Sequence, residues 1–289
     1  MNLSVVILSY HSFHLIEKII KNIDKKIPII VIENSRNKKL KLKLEKKYKN
    51  INVIIPSKNL GFAPGMNLGI KKSRNNFVLC LTADIKITKK CINDLKKCVK
   101  KFTNFSLLAP TYNNEKIYKN YQIYKYKENH HKKSLSKYGI LEVDWIDGGG
   151  FIYNKKKMKN VGLYDEKFFF YYEQEDLCRR IRQIDQKIYV CQKIKFDHAG
   201  SKSSHPKFQH QVKIMRNWHY CWGKFNFYKK HFGYLKGLEK TLPNFFRSIK
   251  NIIISIITNN YKKVELHKAE FRGLLNAYLL QKSSFRILE

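Results

Sequence analysis

Three acidic residues, Glu173, Glu175 and Asp176, lie close together directly after the aromatic run 168–172. Carboxylates are scarce in this chain of 289 residues, which has 22 Asp and Glu against 58 Lys and Arg and a formal net charge of +36. A carboxylate beside apolar side chains has a raised pKa and can act as a general base. The alternative is an acidic helix N-terminus that complements the helix dipole. These three acids are therefore the candidate catalytic residues.

Two further carboxylates follow predicted strands, Glu33 after 29–32 and Asp84 after 77–81. Ligands of doubly wound sheets bind beyond the carboxyl ends of the strands. A carboxylate at such a position can hold Mg²⁺ or Mn²⁺ and leave coordination positions for phosphate oxygens. His198 follows another short predicted strand and is a second candidate metal ligand. A turn-capping role for Asp84 and a structural role for His198 are the alternatives.

A glycine-rich segment, 59–69, lies between the third and fourth predicted strands. Gly61, Gly65 and Gly69 are four residues apart, so on a helix they share one face and allow backbone or ligand to approach closely. A helix N-terminus in this segment would also favour phosphate. The segment matches neither the Walker A loop nor the dinucleotide-binding fingerprint. Close packing of helix on sheet explains the glycine spacing equally well.

Strand and helix patterns alternate through the first hundred residues. Continuous apolar runs predict buried parallel strands, and runs with helical spacing or a lysine-rich face predict the helices between them. The predicted strands are 3–8, 29–32, 53–55 and 77–81, and the predicted helices are 13–23, 38–49, 61–72 after an initial loop, and 88–101. This alternation predicts an α/β fold with a doubly wound sheet.

The pattern is less regular after residue 110. Residues 111–142 are rich in Tyr, Lys and Asn, which indicates a hairpin or lid. A triple glycine at 148–150 follows Asp147, and a short basic helix is expected after it. Short strands are predicted at 188–191 and 194–196, and the chain is predicted to be helical from His205 to its end.

Composition restricts the compartment and the partners. The six cysteines form no C-x-x-C pair, and a chain of this size needs no disulfides, so we expect reduced thiols in a cytoplasmic protein. The chain begins with a strand pattern and not with a signal peptide, and no apolar run reaches the ~18 residues of a spanning helix. The charge of +36 favours polyanionic partners, although lysines spread along the whole chain account for part of it.

The segment from 240 to 263 has an amphipathic pattern. Its apolar residues recur every three or four positions, and basic residues lie at or beyond the edges of the face they form. The apolar set is Leu242, Phe245, Phe246, Ile249, Ile252, Ile253, Ile256 and Ile257, and the basic set is Lys240, Arg247, Lys250, Lys262 and Lys263. This pattern predicts a helix that lies in an anionic membrane surface. The alternative is an apolar face that packs on the rest of the chain or on a second subunit of a homodimer.

In order and spacing, these motifs resemble the inverting nucleotide-sugar glycosyltransferases of family 2, especially the rhamnosyltransferase-like branch. The resemblance covers residues 3–204. Its segments are Val-Val-Ile-Leu-Ser-Tyr at 5–10, Glu-Asn-Ser at 33–35, 59–70, Leu-Thr-Ala-Asp at 81–84, Gly-Gly-Gly-Phe at 148–151, Gly-Leu-Tyr-Asp-Glu-Lys-Phe-Phe at 162–169, 173–180, and His-Ala-Gly-Ser at 198–201. It implies a GT-A fold at 1–204, in which a nucleotide-binding sheet merges with an acceptor-binding half, and a C-terminal helical extension at 205–289.

The resemblance also implies a reaction. A sugar would move from a UDP- or dTDP-linked donor to a saccharide or lipid-linked acceptor by single displacement with inversion, in the synthesis of surface polysaccharide. The expected location is the cytoplasm, or the inner face of the cell membrane for a peripheral protein. Asp84, helped by His198, would hold Mg²⁺ or Mn²⁺, and Glu33 would accept the N–H of uracil or thymine. The implied nucleotide-binding residues are Ser9, Tyr10, Glu33, Asn59, Gly61 and Asn67, and the implied sugar pocket is Asp147, Gly148 and Gly149. The alternative for Asp147 is a turn residue before a strand.

Two departures from the family pattern leave alternatives open. Thr82-Ala83-Asp84 stands where the family has Asn-Pro-Asp or Asp-x-Asp, so one aspartate remains for the metal. Gln174 occupies the usual base position and cannot take a proton, so we expect Glu175, or else Glu173, to be the base. Gln174 also suggests a non-catalytic scaffold.

A basic RNA-binding protein is a further alternative. It is suggested by the Lys- and Tyr-rich run 117–133, which suits contact with a backbone and stacking on bases. No RNA-binding signature is present, and the acidic cluster would repel phosphate. We therefore expect no nucleic acid partner.

Overall fold

The computed structural model describes residues 3–113, 118–124, 138–198 and 205–286. The chain divides into two compact units. The first, here called the sheet unit, comprises Met1–Leu60, Pro64–Tyr164 and Leu177–His205. The second, the helical unit, comprises Gly61–Ala63, Asp165–Asp176 and Pro206–Glu289. Much of the predicted hairpin or lid, most of the 117–133 run and the last three residues of the 198–201 motif lie outside the described residues.

The elements follow the alternation that the sequence predicts. The strands are β1 Leu3–Ser9, β2 Ile29–Glu33, β3 Ile51–Ile54, β4 Phe77–Thr82, β5 Ile85–Lys86, β6 Leu107–Tyr112, β7 Tyr121–Gln122, β8 Ile140–Val143, β9 Trp145–Ile146, β10 Gly150–Asn154 and β11 Ile188–His198. The helices are α1 Phe13–Ile20, α2 Lys38–Lys47, α3 Ala63–Lys72, α4 Lys89–Lys101, α5 Glu173–Gln183, α6 Gln209–Phe232, α7 Tyr234–Ile257 and α8 Tyr261–Tyr278. A 3₁₀ turn, Pro206–Phe208, precedes α6.

The sheet unit is built on one large sheet. In the described ranges its strand order is β3-β2-β1-β4-β10-β6-β11-β5, and β8 also pairs with β11. Strands β3, β2, β1 and β4 are parallel, β10 is antiparallel to both β4 and β6, and β11 is parallel to β6. The mixed α/β fold with a mainly parallel sheet, followed by C-terminal helices, is thereby confirmed.

The core of the sheet unit explains the continuous apolar runs. Every residue of β1 and of β2 is buried, as expected for central strands covered on both faces. Helix α3 packs on β1 through two glycines: a Cβ added at Gly65 would lie 2.7 Å from Leu8 Cδ1, and one at Gly69 would lie 2.3 Å from Val6 Cγ1. The glycine spacing therefore serves close packing of helix on sheet at these two positions.

Three local predictions were wrong in detail. The predicted strands 188–191 and 194–196 are one strand, β11, whose register against β6 shifts between Cys191 and Lys195. The polar pair Gln192–Lys193 falls at this irregularity and interrupts the apolar pattern. The expected basic helix after the triple glycine is a series of turns, because the N–H groups of Lys155 and Lys156 donate to the backbone and side-chain oxygens of Asn76.

The third wrong prediction concerns Gly61. The residue precedes helix α3 and has a φ of +76°, so it does not share a helix face with Gly65 and Gly69. A Cβ at Gly61 would lie 2.3 Å from the carbonyl oxygen of Phe169, and the neighbouring Phe62 N–H donates to that oxygen at 2.7 Å. Gly61 therefore allows a close approach between two segments of the helical unit.

Helices α6, α7 and α8 form the body of the helical unit. Their core includes Trp218, Trp222 and Phe225 of α6 with Ala269 and Ala277 of α8. A Cβ at Gly273 would lie 2.4 Å from the Trp218 carbonyl oxygen, so α8 approaches the backbone of α6 directly. Of the helices in the described part of the chain, none is long and apolar enough to cross a membrane.

Close packing of α3 on β1 can be tested with Gly69→Ala. The new methyl group would overlap the fully buried Val6, so we expect a loss of about 1–3 kcal/mol in the free energy of unfolding. The expected loss already includes the gain of about 1 kcal/mol by which alanine is more favourable than glycine in a helix interior. Chemical denaturation of Gly69→Ala, Val6→Ala and the double variant would measure it. The double variant should lose less than the sum of the singles, and a fully stable Gly69→Ala would refute the contact.

Candidate active site

The carboxyl ends of β1 and β2 bring Ser9 and Glu33 together. These residues are register partners in the parallel pair, and the Ser9 hydroxyl donates to Glu33 Oε2 at 2.6 Å. The other carboxylate oxygen accepts from the backbone N–H of Ser35 at 2.9 Å and from the Ser35 hydroxyl. Three donors thus fix the orientation of a buried carboxylate at the strand ends. A carboxylate offers about four acceptor positions, so Glu33 retains capacity for a further donor.

Asp84 and His198 form a second pair, at the end of β4. Nε2 of His198 lies 3.3 Å from Oδ2 of Asp84, and the Thr82 hydroxyl donates to Oδ1 of Asp84 at 2.8 Å. Burial alone would raise the pKa of Asp84, but the contacts with His198 and then Thr82 outweigh it and hold the pKa below its ordinary value. Asp84 is therefore an anion at neutral pH, next to an imidazole.

Asp147 is held by two tyrosines that no sequence motif marks as site residues. The hydroxyl of Tyr112 donates to Oδ1 of Asp147 at 2.7 Å, and that of Tyr118 donates to Oδ2 at 3.0 Å. Burial raises the pKa of Asp147, although the Tyr112 hydroxyl and the Gly149 N–H act in the opposite direction. Tyr112 ends β6 and Tyr118 lies beyond it, and no local pattern marks either residue as a partner of an aspartate 29 or more positions away.

The Asp147 and Asp84 groups adjoin each other. The Thr82 N–H donates to the carbonyl oxygen of Gly149 at 2.8 Å, and the Tyr112 ring lies 5.1 Å from the His198 ring between centroids. A Cβ at Gly149 would lie 2.5 Å from the Tyr112 hydroxyl, so a glycine is needed there. Gly148 is half-buried at the same turn. A carboxylate, an imidazole and a second carboxylate therefore share one edge of the sheet unit.

This edge suits a divalent cation with an open coordination sphere. In the described ranges no group of three or more His, Cys, Asp or Glu side chains is placed to hold a metal ion. Asp84 and His198 nevertheless present an oxygen and a nitrogen 3.3 Å apart. Mg²⁺ commonly takes one or two protein ligands and completes its shell with phosphate oxygens and water. The donor set therefore fits an ion that binds together with a diphosphate.

The remaining predicted nucleotide residues are held by structural contacts. Asn67 spans the backbone of Tyr164, accepting from its N–H and donating to its carbonyl oxygen, both at 3.0 Å. Asn59 is buried, and Tyr10 is half-buried with its ring 4.5 Å from that of His11. Gly61 lies in the helical unit against Phe169, as described above. Asn67 and Gly61 thus have structural contacts sufficient to explain them.

In the helical unit, Glu173 is the first residue of α5. Its side chain is buried, at 6% exposure, and Oε2 has no hydrogen-bond partner in the described part of the chain. Burial, followed by the negative charge of Glu175, raises the pKa of Glu173 to about 8. Buried carboxylates are normally paired, so one left without a partner on one oxygen calls for a functional explanation.

Asp176 has a different environment. Its carboxylate is fully buried and accepts contacts from Lys230 Nζ at 2.6 Å and His231 Nε2 at 2.9 Å. These contacts connect the start of α5 to the end of α6, so they explain Asp176 as an anchor. Glu175 is half-buried and Gln174 is buried on the same helical turn. The three acids therefore divide into one anchor, one half-buried carboxylate and one buried carboxylate with an unpaired oxygen.

Two residues with strained backbone directly precede α5. Tyr171 and Tyr172 have φ values of +66° and +68°, in the left-handed region that costs bulky residues about 1–3 kcal/mol each. The Tyr171 hydroxyl accepts from Arg216 Nε at 2.7 Å, and a Cβ at Gly223 would lie 3.0 Å from the Tyr171 carbonyl oxygen. Helix α6 thus supports the strained pair. Backbone strain of this kind is found where geometry serves a site.

The comparison with known families gives a match over residues 4–171 to the family described as Glycosyl transferase family 2. Among curated proteins, the low-salt glycan biosynthesis hexosyltransferase Agl10 of Haloferax volcanii is 26% identical over 210 residues, which are 68% of this chain and 67% of that protein. The family match spans more than half of the chain.

Solved structures share the fold at low sequence identity. The mannosyltransferase PcManGT from Pyrobaculum calidifontis, in complex with GDP-Man and Mn²⁺, has a TM-score of 0.57 and 9% identity, and the match covers 96% of this chain and 86% of that one. GalNAc-T7 with UDP, GalNAc and Mn²⁺ has a TM-score of 0.55 and 15% identity over 84% of this chain and 57% of that one. These similarities concern the fold alone, and they confirm the GT-A-like architecture.

The buried position of Glu173 predicts a pH-dependent stability. Its pKa rises from 4.5 to about 8 on folding, so the folded protein keeps a proton that the unfolded chain releases. The associated stability is complete below about pH 4.5 and is lost as the pH rises to about 8. Glu173→Gln should therefore resemble the parent near about pH 5 and exceed it above about pH 8, by on the order of 1–3 kcal/mol.

Urea unfolding at both pH values would measure the difference. Glu166→Gln, which changes an exposed carboxylate, is the matched control and should follow the parent at both pH values. Parallel pH dependence of Glu173→Gln and the parent would show that the Glu173 environment is not as described.

Proposed function

The chain belongs to glycosyl transferase family 2, and we propose that it moves a hexosyl group from a nucleotide-sugar to a saccharide or lipid-linked acceptor with inversion at the anomeric carbon. The observation that carries the proposal is the convergence of Asp84, His198 and Asp147 at one edge of the sheet unit. A polar cluster at strand ends of an α/β sheet is the usual place for a nucleotide-linked ligand.

The relatives support the substrate class. Agl10 is described as a hexosyltransferase of glycan biosynthesis, and PcManGT and GalNAc-T7 were solved with GDP-Man or UDP, each together with Mn²⁺. We propose a UDP- or dTDP-linked donor, with rhamnosyl among the candidate sugars, and a role in surface polysaccharide synthesis. A lipid-linked acceptor would be met at the inner face of the cell membrane.

Glu33 is proposed to recognise the base of the nucleotide. Ser9 and Ser35 hold its carboxylate in one orientation, and the acceptor capacity that remains suits the N–H of uracil or thymine. Because Ser9 and Ser35 fix the Glu33 carboxylate before the ligand arrives, binding costs little further loss of side-chain entropy. The same arrangement would disfavour a base that presents an acceptor at that position.

Asp84 and His198 are proposed to bind the divalent metal, and Asp147 the sugar. A bound Mg²⁺ or Mn²⁺ would neutralise the charge that develops on the leaving nucleoside diphosphate. The lowered pKa of Asp84 keeps it anionic and ready to bind a cation. Asp147 and the Gly149 turn, held by Tyr112 and Tyr118, would accept hydrogen bonds from sugar hydroxyls and orient the anomeric carbon.

Glu173 is proposed to deprotonate the acceptor hydroxyl. A general base is most effective when its pKa lies near the operating pH, and burial gives Glu173 a pKa of about 8. Its unpaired Oε2 leaves an acceptor position for a hydroxyl. Asp176 is already engaged by Lys230 and His231. Glu175, which the sequence favoured because it adjoins Gln174, is the alternative base.

Gln174 supports one competing function, a non-catalytic scaffold that binds a nucleotide-sugar without transferring the sugar. It occupies the position at which family members usually carry the base. Purified protein incubated with UDP- and dTDP-sugars, a saccharide acceptor and Mn²⁺ distinguishes the two functions. Binding of donor without any transfer to a range of acceptors would favour the scaffold.

The metal assignment is tested with Asp84→Asn. Asparagine keeps the shape of the side chain but removes its charge, so we expect transfer to fall by about a hundredfold or more. The Mn²⁺ concentration that gives half-maximal rate should rise as well. Asp185→Asn, a change at a highly exposed aspartate paired with Lys187, is the control and should match the parent. Undiminished transfer by Asp84→Asn, or by the parent in EDTA, would rule out the metal role.

The base assignment is tested by comparing Glu173→Gln with Glu175→Gln. Loss of a general base typically lowers the rate by about 10²–10⁴-fold, and it also removes the limb of the pH–rate profile that the base controls. We expect both effects in Glu173→Gln. Glu166→Gln serves as the control at an exposed position. If both Glu173→Gln and Glu175→Gln turn over at the parent rate, neither residue is the base.

A further inference from the structure

Helix α7 packs in the helical unit through small and polar residues. Its buried positions are Gly237, Thr241, Ser248 and Ser255, which recur at intervals of four and seven and so form one stripe along the helix. None of these residues has a large apolar side chain. An ordinary surface helix buries its apolar face instead. The fully buried stripe of α7 is therefore made of small residues, while half-buried Leu238 packs on the core of the unit and the Phe245 ring lies 4.9 Å from that of Phe271.

The packing of the small-residue stripe is stable because it is close and its polar groups are satisfied. A Cβ at Gly237 would lie 2.9 Å from the Phe225 ring, so the absence of a side chain brings α7 against α6. The hydroxyls of Thr241 and Ser248 donate to carbonyl oxygens within α7, at 2.7 and 2.6 Å. No buried hydroxyl of this pair is left without an acceptor, so the stripe has no large polar penalty.

A row of large apolar side chains on α7 is nevertheless exposed. Leu235 is 80% exposed, Phe246 63%, Ile253 53% and Ile257 74%. Leu242, Ile254 and Ile256 are also exposed, as is Tyr261 at the start of α8. Scattered exposed apolar residues need no explanation, but a row of them on one helix marks an interaction surface.

The charges of α7 indicate which partner covers this row. The helix contains four basic residues, Lys236, Lys240, Arg247 and Lys250, and one acidic residue, Glu239, which pairs with Lys236 and Lys240. Lys262 and Lys263 follow in the first turn of α8. A second copy of this chain would carry the same positive charges to the interface, where like charges oppose association. An anionic lipid surface complements them.

We propose that the exposed apolar row of α7, with its basic flank, docks the protein on an anionic membrane surface. The helix would lie in the plane of the interface, with the isoleucines and Phe246 among the acyl chains and the basic side chains at the headgroups. Each basic residue near an anionic leaflet adds to this attraction. The proposal rests on the packing of α7 and does not depend on the glycosyl transfer proposed above.

Vesicle flotation of the full chain tests the proposal. Vesicles of phosphatidylglycerol and phosphatidylethanolamine are compared with phosphatidylcholine vesicles, at about 0.1 M and about 0.5 M salt. A net charge of +36 would attract any part of the protein to anionic lipid at low salt, but high salt screens that attraction. Binding that persists at high salt therefore reports apolar insertion. We expect persistent binding to the anionic vesicles and weaker binding to phosphatidylcholine.

A matched pair of variants locates the surface. Ile257→Ser changes a side chain that is 74% exposed on α7, and Leu42→Ser changes one that is 70% exposed on α2. We expect Ile257→Ser to lower the high-salt partition coefficient roughly tenfold, and Ile253→Ser/Ile257→Ser to lower it further, whereas Leu42→Ser keeps the parent value. Thermal unfolding should be unchanged in all three variants because the sites are exposed.

Two results would overturn the proposal. The first is a parent protein that stays at the bottom of the gradient with anionic vesicles, or an Ile253→Ser/Ile257→Ser variant that floats as the parent does. The second is a parent that sedimentation shows to be a dimer and that the double variant converts to a monomer, because a second copy would then cover the row. Transfer to a water-soluble acceptor should be equal in the parent and the double variant, which separates this test from that of the enzyme.

Discussion

The parallel register of β1 with β2 and β4 determines where the polar groups of the sheet unit can lie. Ser9 is opposite Glu33, and Leu8 is opposite Thr82. The polar residues Ser9, Glu33 and Thr82, at the ends of three adjacent strands, therefore reach the same edge of the sheet. A shift of one residue would turn each of these side chains to the other face of the sheet. The packing of β1 opposes such a shift, because Gly65 and Gly69 of α3 fit against Leu8 and Val6 on one face of the sheet. The register is thus fixed by hydrophobic packing and used for polar chemistry.

Much of this arrangement is predictable from local pattern. Apolar runs in the first hundred residues predict the central strands. Glu33 is recognisable because it directly follows such a run, and Asp84 because it lies three residues after one. The Tyr112 and Tyr118 contacts with Asp147 are not predictable, because they join residues far apart in the chain through side-chain positions that only the folded sheet defines. The same holds for the contacts of Asp176, whose partners Lys230 and His231 are among many Lys, Arg and His residues. Sequence pattern thus indicates which residues are polar at strand ends, but not which neighbours hold them.

At the acidic start of α5, two buried carboxylates in one short segment have different environments. Asp176 is buried with the Lys230 ammonium and the His231 imidazole as partners, so its charge is compensated and contributes to the attachment of α5 to α6. Glu173, three residues earlier, is also buried but has an unpaired oxygen and a pKa raised to about 8. Such an arrangement lowers stability at high pH, and the left-handed backbone of Tyr171 and Tyr172 lowers it at every pH. Proteins keep features of this kind where the resulting geometry is useful.

Helix α7 also carries side chains that do not stabilise the fold, and here they are apolar. Its amphipathic pattern predicts a helix correctly, but the pattern alone cannot tell which face turns inward, because either face can pack if the geometry allows. Here Gly237 and the hydroxyl residues permit an approach close enough for the small face to pack, and Phe246, Ile253 and Ile257 stay exposed. An exposed row of isoleucines stabilises nothing within the unit, just as an unpaired buried carboxylate oxygen does not. Both features are costs that the described fold leaves uncompensated, and a ligand for each would compensate them.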